Sequence, residues 1–175
     1  MGLQIILCVE ANNKSKSDYI YIKSAIEHFY KLDRANNKLT AIYMDGKGNY
    51  NASKTIKLIR DYTKQYEASG KNNRTVVFYC FDCDQYDVKS EDKKFLQKAK
   101  KYCKDNGYEF VWFCRDIEHV FLEKQIPKNK KTETANNFAA KGLIDNVNLH
   151  SLQASSYQSQ RSNLGIILGK YLDGK

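Results

Sequence analysis

Two apolar runs in this chain stop at carboxylates. In TVVFYCFDCDQYD (Thr75 to Asp87) the run ends at Asp82-Cys83-Asp84, and in LQIILCVEA (residues 3–11) it ends at Glu10. Side chains two apart on an extended strand point to one side, so Asp82 and Asp84 are expected to present their carboxylates together. Oxygen donors at that density suit Mg²⁺ or Mn²⁺ rather than zinc. A hard cation held by two or three carboxylates in a basic protein is equipment for phosphoryl transfer: it neutralises phosphate charge, activates water and stabilises the leaving oxygen. The competing reading is that aspartates after strands are common turn residues. Taken singly, only Glu10, Asp82 and Asp84 outweigh it. Asp18 reads first as a first-turn helix acid, and Asp45-Gly46 as a turn pair.

The elements that must position these groups are legible as an alternation. LQIILCV is a short apolar run suited to a buried strand. Ser17 is the expected N-cap of a helix whose apolar stripe is Ile22, Ala25, Ile26 and Phe29. A second strand spans about 38–44 and a second helix about 52–68, with Gly70 as its stop. RTVVFYCF is the third strand. Ser90 caps a third helix that ends at Asn106-Gly107, and YEFVWFC (108–114) is the fourth strand. Strand and helix alternating this regularly predict an α/β fold: an open, mainly parallel four-stranded sheet with helices on both faces. In such sheets, sites form beyond the carboxyl ends of the strands. Those ends carry Glu10, Asp45, Asp82-Cys83-Asp84, and then Arg115, Asp116 and Glu118. Acids so gathered repel one another and require a compensating cation.

Bulk properties narrow the classes. The chain has 175 residues, which suggests one domain, and a net charge of +9 favours a polyanionic partner, nucleic acid first. No apolar run approaches a membrane-spanning length, and the N-terminal stretch does not read as a signal peptide. Five cysteines, an odd number and mostly inside apolar runs, imply reduced thiols in a cytoplasmic protein. Cys80-x-x-Cys83 inside a strand, with no second pair, is a weak zinc signal. After the fourth strand, RDIEHVFLEK reads as a short helix, KNKKTET as a basic loop, ANNFAAKGLI as helical, NLHSLQASSYQSQ as polar and aperiodic, and RSNLGIILGKYL as a last helix. Residues 1–124 thus form the α/β core and 125–175 a helical extension packed on the same domain.

A Glu ending the first strand with a D-x-D ending a later one, as in ILCVEA and FYCFDCD, resembles the Toprim fold, closest to RloB-like and OLD-type nucleases. MDGKGNY after the second strand fits, as does FCRDIEHVFL after the fourth, which points to Glu118. The resemblance covers about residues 3–124. It implies a Toprim-like Rossmannoid core and a Mg²⁺- or Mn²⁺-dependent nuclease cleaving DNA or RNA in bacterial or phage defence. Glu10, Asp82 and Asp84 would be catalytic and metal-binding, Glu118 a supporting ligand, and Lys14, Lys47 and Arg115 contacts to nucleic acid. It also implies an ATPase partner protein and allows a homo-oligomer, with no membrane association. Ala11 stands where the family usually has Gly, and the loop to Asp18 is longer than in OLD-like members. These departures support the alternative, a non-catalytic nucleic-acid-binding or regulatory module of the same fold. A haloacid-dehalogenase-like phosphatase carries D-x-D on its first strand, whereas the first strand here carries Glu10.

Overall fold

A computed structural model describes residues 2–175. Strands β1 (Leu3–Val9), β2 (Asn37–Tyr43), β3 (Arg74–Asp82) and β4 (Glu109–Cys114) form a parallel sheet, and a two-residue strand β5 (Arg161–Ser162) pairs antiparallel with β4, giving the order β2-β1-β3-β4-β5. The fold class is as the alternation predicts, with one strand more. RSNLGIILGKYL was expected to be all helix. Instead Arg161 and Ser162 close the sheet edge before a short helix, α6 (Leu164–Leu168). Two residues are too few to carry a strand periodicity.

Alternation along the strands divides the core between two faces. Leu3, Ile5, Leu7 and Val9 of β1, with Phe78 and Cys80 of β3, pack against α1 (Ser17–Phe29), α4 (Ile117–Leu122) and α5 (Lys131–Ala140). Ile6, Cys8, Val77, Tyr79 and Phe81 pack on the other face, against α2 (Ser53–Ala68) and α3 (Ser90–Asn106). Phe78, Tyr79 and Phe81 are fully buried, each contributing about 1.5–3 kcal/mol relative to exposure. Gln4, also buried, is satisfied across the sheet: it donates to Thr40 and accepts from Thr75. Cys80 and Cys83 belong to opposite faces, and all five cysteines are free and buried, so the C-x-x-C spacing gathers no thiol pair.

Three local readings shift. Helices α1 and α3 begin at Ser17 and Ser90 themselves, with Lys16 and Lys89 at the cap positions and no side-chain cap. KNKKTET is not all loop: a 3-10 turn (Lys128–Lys130) leads into α5 at Lys131. At the end of α3, Gly107 takes the left-handed conformation (φ 70°) that the sequence predicted, its N–H meeting the carbonyls of Cys103 and Lys104. Residues beyond α4 share the core with the rest. Ala135, Phe138, Leu152 and Leu164 join the first face, and Tyr30 donates to the Gly165 carbonyl at 2.9 Å. Among the described residues no helix is long and apolar enough to cross a membrane.

Candidate functional site: an acidic centre at the carboxyl edge of the sheet

The sheet brings the strand-end acids to one edge. Glu10 follows β1, and its Oε1 accepts the Asp82 N–H at 2.8 Å across the β1–β3 boundary. The Asp82 Oδ1 in turn accepts the Ile117 N–H at 3.0 Å, tying β3 to the first turn of α4. Asp116 caps that helix by accepting the His119 N–H at 2.8 Å. Asp18, which its sequence context marked as a helix-start acid, turns back and accepts the Ala11 N–H at 2.9 Å, closing the loop that follows Glu10. The longer spacing from Glu10 to Asp18 therefore still returns a carboxylate to the centre, which sequence reasoning missed.

Asp82 and Asp84 do not lie side by side on one strand. β3 ends at Asp82, and Asp84 adopts a left-handed conformation (φ 50°), tolerated by aspartate better than by most residues. Strand alternation does not reach it. Its carboxylate pairs with Lys47, whose ammonium also lies 3.3 Å from Asp92 and 4.9 Å from the Phe95 ring centre. Lys47 stands in a 3-10 turn (Lys47–Asn49) after β2, within the Gly-bearing turn of the sequence motif.

On the other side of the centre, Glu118 is fully buried; its Oε2 accepts from Lys131 at 2.9 Å, and Lys131 stands 3.9 Å from Asp116. The Glu118 Oε1 and the Tyr21 hydroxyl, both buried, have no hydrogen-bond partner among the described residues. Lys131 was the other residue missed. It opens α5 in a stretch whose lysine run reads as a solvated loop, and the Thr132-to-Ser15 hydrogen bond at 2.9 Å docks that turn beside the Glu10 loop.

Of the remaining sequence candidates, Lys14 is exposed on the loop after β1. Arg115 pairs with Asp87 at 3.2 Å, so Asp87 is an ion-pair partner as well as a loop residue. Asp45 is exposed in a left-handed turn outside the cluster. A cleft of about 370 Å³ opens onto the centre, lined by Asp84, Lys89, Asp92, Arg115 and Asp116.

The electrostatics follow from crowding. Burial, then the charges of Asp18 and Asp84, push the Glu10 carboxyl up to about 8, against the pull of the Asp82 N–H and Lys47. Burial, then Glu10, Asp18 and Glu118, hold Asp82 well above the usual carboxylate range. Burial also raises Asp18 and Glu118. Burial pulls Lys131 down, but its hydrogen bond to Glu118 and the nearby acids outweigh that and hold its ammonium above the usual range. Glu10, Asp18 and Asp82 thus titrate together, each raised by burial and by a neighbouring acid, with Glu118 raised beside them.

A pH dependence of stability follows. Between the ordinary carboxylate value and about 8, folded Glu10 keeps a proton that the unfolded chain releases. The folded state then binds more protons, so stability falls as pH rises through that window. Lys47 and Lys131 stay charged throughout and do not reverse the sign. Thermal denaturation in chelator is expected to show the melting temperature dropping between about pH 5 and pH 8, by a few kcal/mol of stability. A melting temperature that is flat or rising over that range would contradict the assigned crowding.

The donor set, all oxygen, with Glu118 buried and Glu10, Asp18, Asp82 and Asp84 partly so, has the chemistry of a hard-cation site. Among the described residues no three of these side chains already converge as a finished cation cage: Glu10, Asp18 and Asp82 each commit an oxygen to a backbone N–H, and Asp84 and Glu118 commit theirs to lysines. Compared with protein-family models, curated proteins and solved structures, the chain matches none.

Proposed function

We propose that this protein is a Toprim-type, divalent-metal-dependent phosphodiester hydrolase acting on DNA or RNA. The observation that carries the reading is the gathering of Glu10, Asp82 and Glu118 from successive strand ends into one crowded, partly buried centre, in a chain of net charge +9. Acids are not buried against one another for stability; such crowding marks sites where the charge is used. Glu10, Asp82 and Asp84 would hold Mg²⁺ or Mn²⁺, with Glu118 in support. A cation bound there supplies charge neutralisation at the scissile phosphate and a more acidic water.

The chain's own residues supply the rest. Without a cation Glu10 is lifted to about 8; standing off the metal it would serve as general acid or base, and as a ligand it would be ionised. The Asp82 N–H fixes the Glu10 carboxylate, and the Ile117 N–H fixes that of Asp82. Lys47, beside Asp84 and over the Phe95 ring, and Arg115, lining the cleft, are ion-paired to carboxylates that substrate phosphate would replace. Lys14, on the exposed loop, extends the basic surface. The role in defence and the ATPase partner belong to the same reading through the Toprim resemblance.

One observation favours a second reading, a nucleic-acid-binding module without turnover: Lys47 and Lys131 already supply positive charge to Asp84 and Glu118. The test is incubation of the purified protein with single-stranded and duplex DNA and RNA in Mg²⁺, Mn²⁺ or EDTA. Cleavage that requires metal is the expected result, and Mg²⁺ is expected to restore the stability lost near pH 8. Salt-sensitive binding that ignores EDTA, with no cleavage in either metal, would instead establish the second reading.

A further inference from the structure

We infer that the groove along α3 is a binding tract for single-stranded nucleic acid, leading strands to the acidic centre; its link to cleavage rests on the function proposed above. Lys93, Gln97, Lys100 and Lys104 recur four, three and four residues apart and so share one face of α3. Lys93, Gln97 and Lys100 form one wall of a cavity of about 320 Å³ whose opposite wall is Tyr86 and Tyr157. Lys100 and Lys104 continue along a second cavity of about 480 Å³, facing Ala154 and Ser155 with Trp112 at its base. Lys100 lines both, so the two cavities adjoin along α3.

The rings in that path brace one another, tilted at 59° between Tyr86 and Tyr157 and edge-to-face at 78° between Trp112 and Tyr157. Tyr157 lies 5.1 Å from Tyr86 and 4.9 Å from Trp112, centre to centre, and the Tyr86 hydroxyl donates to the Tyr157 carbonyl at 3.2 Å. The 149–160 stretch, aperiodic in sequence, is therefore held as one wall of the groove.

Charge in the groove is one-sided. Lys93, Lys100 and Lys104 are exposed and make no ion pair among the described residues. The two acids beside them are neutralised elsewhere: Asp87 by Arg115, and Glu109 by Lys170 at 2.9 Å. Unpaired lysines along one wall and aromatic rings along the other are what a strand with exposed bases and a phosphate backbone requires. A duplex hides its base faces and gains only the lysines. The path also has a direction. Asp87 lines the first cavity and its partner Arg115 lines the cleft of Asp84 and Asp116, so that ion pair stands between groove and centre.

The experiment is binding in EDTA, where no cleavage is needed, using labelled oligo-dT and oligo-rU of about 12 nucleotides, a duplex of equal length, and polyglutamate. Fluorescence anisotropy gives affinity, and Trp112, the only tryptophan, reports the groove directly. Single strands are expected to bind more tightly than duplex and to change the Trp112 emission. Tyr157→Leu is expected to weaken them about tenfold, and Tyr157→Phe to leave them nearly unchanged. Changing Lys93, Lys100 and Lys104 together to Gln, all at exposed positions where folding is not at risk, is expected to lower the salt dependence by about two units of slope. Duplex or polyglutamate binding as well as the single strands would overturn the inference. So would parental single-strand affinity in both Tyr157→Leu and the triple lysine variant. Failure here with cleavage intact would remove the groove but not the acidic centre; binding with no cleavage in any metal would do the reverse.

Discussion

Asp82→Asn is expected to abolish metal-dependent cleavage while raising the melting temperature. The two effects have one cause. Asp82 sits where burial, Glu10, Asp18 and Glu118 all oppose its ionisation, so a permanent charge there costs the fold and is useful only to a cation. Asn keeps the oxygen that accepts the Ile117 N–H at 3.0 Å, so the junction between β3 and α4 survives. What disappears is one negative charge from the coupled set. Relieving it is expected to contribute about 1–2 kcal/mol, a few degrees in a chain of this size. Loss of a ligating carboxylate is expected to reduce cleavage by about a thousandfold or more, the several kcal/mol of charge stabilisation the cation supplies. Residual activity within tenfold of the parent would remove Asp82 from the site. A fall in melting temperature with activity lost would show that the carboxylate is structural, and the hydrolase reading would lose its main support. Measuring both on one preparation separates a damaged fold from a disarmed site.

The sequence carried the frame further than the wiring. Apolar runs placed the four parallel strands to within a residue or two, most firmly β1, β3 and β4, whose central residues are buried on both faces, while the edge strand β2 is largely half-buried. Alternation predicted acids at the strand ends on one edge; the strand order, with β1 beside β3, is what puts Glu10 next to Asp82. Asp18 and Lys131 were not legible because their roles depend on chain reversals. Asp18 acts through a loop that folds back onto Ala11, and Lys131 through a helix docked on α1 from more than a hundred residues away. The same limit hid β5 and the Tyr157 wall of the α3 groove, where pairing is with distant residues and no local period exists. The same-side expectation for Asp82 and Asp84 rested on strand geometry, and the strand stops one residue after Phe81. A left-handed residue at the edge of a site is a tertiary decision: Asp84 is held there by Lys47, which β2 delivers from the far side of β1.

Lys131→Met is the variant expected to cost the fold most. Met keeps the apolar stem of lysine and removes the ammonium. Glu118 is fully buried, and among the described residues its Oε1 is without a partner and Lys131 at 2.9 Å is the one group satisfying its Oε2. Breaking a buried pair from one side leaves an uncompensated charge, which costs about 3–5 kcal/mol. That is about ten degrees in melting temperature here. The loss is expected to depend on pH with a defined sign. Burial already raises Glu118, and without the lysine it is raised further, so the folded variant takes up a proton that the unfolded chain lacks. Its stability is then regained as pH falls through the raised Glu118 value and lost as pH rises through it. Adding Glu118→Gln is expected to recover most of the deficit above that value, since a neutral amide leaves no bare charge. A deficit equal on both sides of it, or unmoved by Glu118→Gln, would locate the effect in lost packing of the lysine stem against α1 rather than in the ion pair. A deficit below about 1 kcal/mol would place the pair with ordinary surface salt bridges. Either result would remove Lys131 as the resident counter-charge of the centre, and with it the observation that favours binding without turnover.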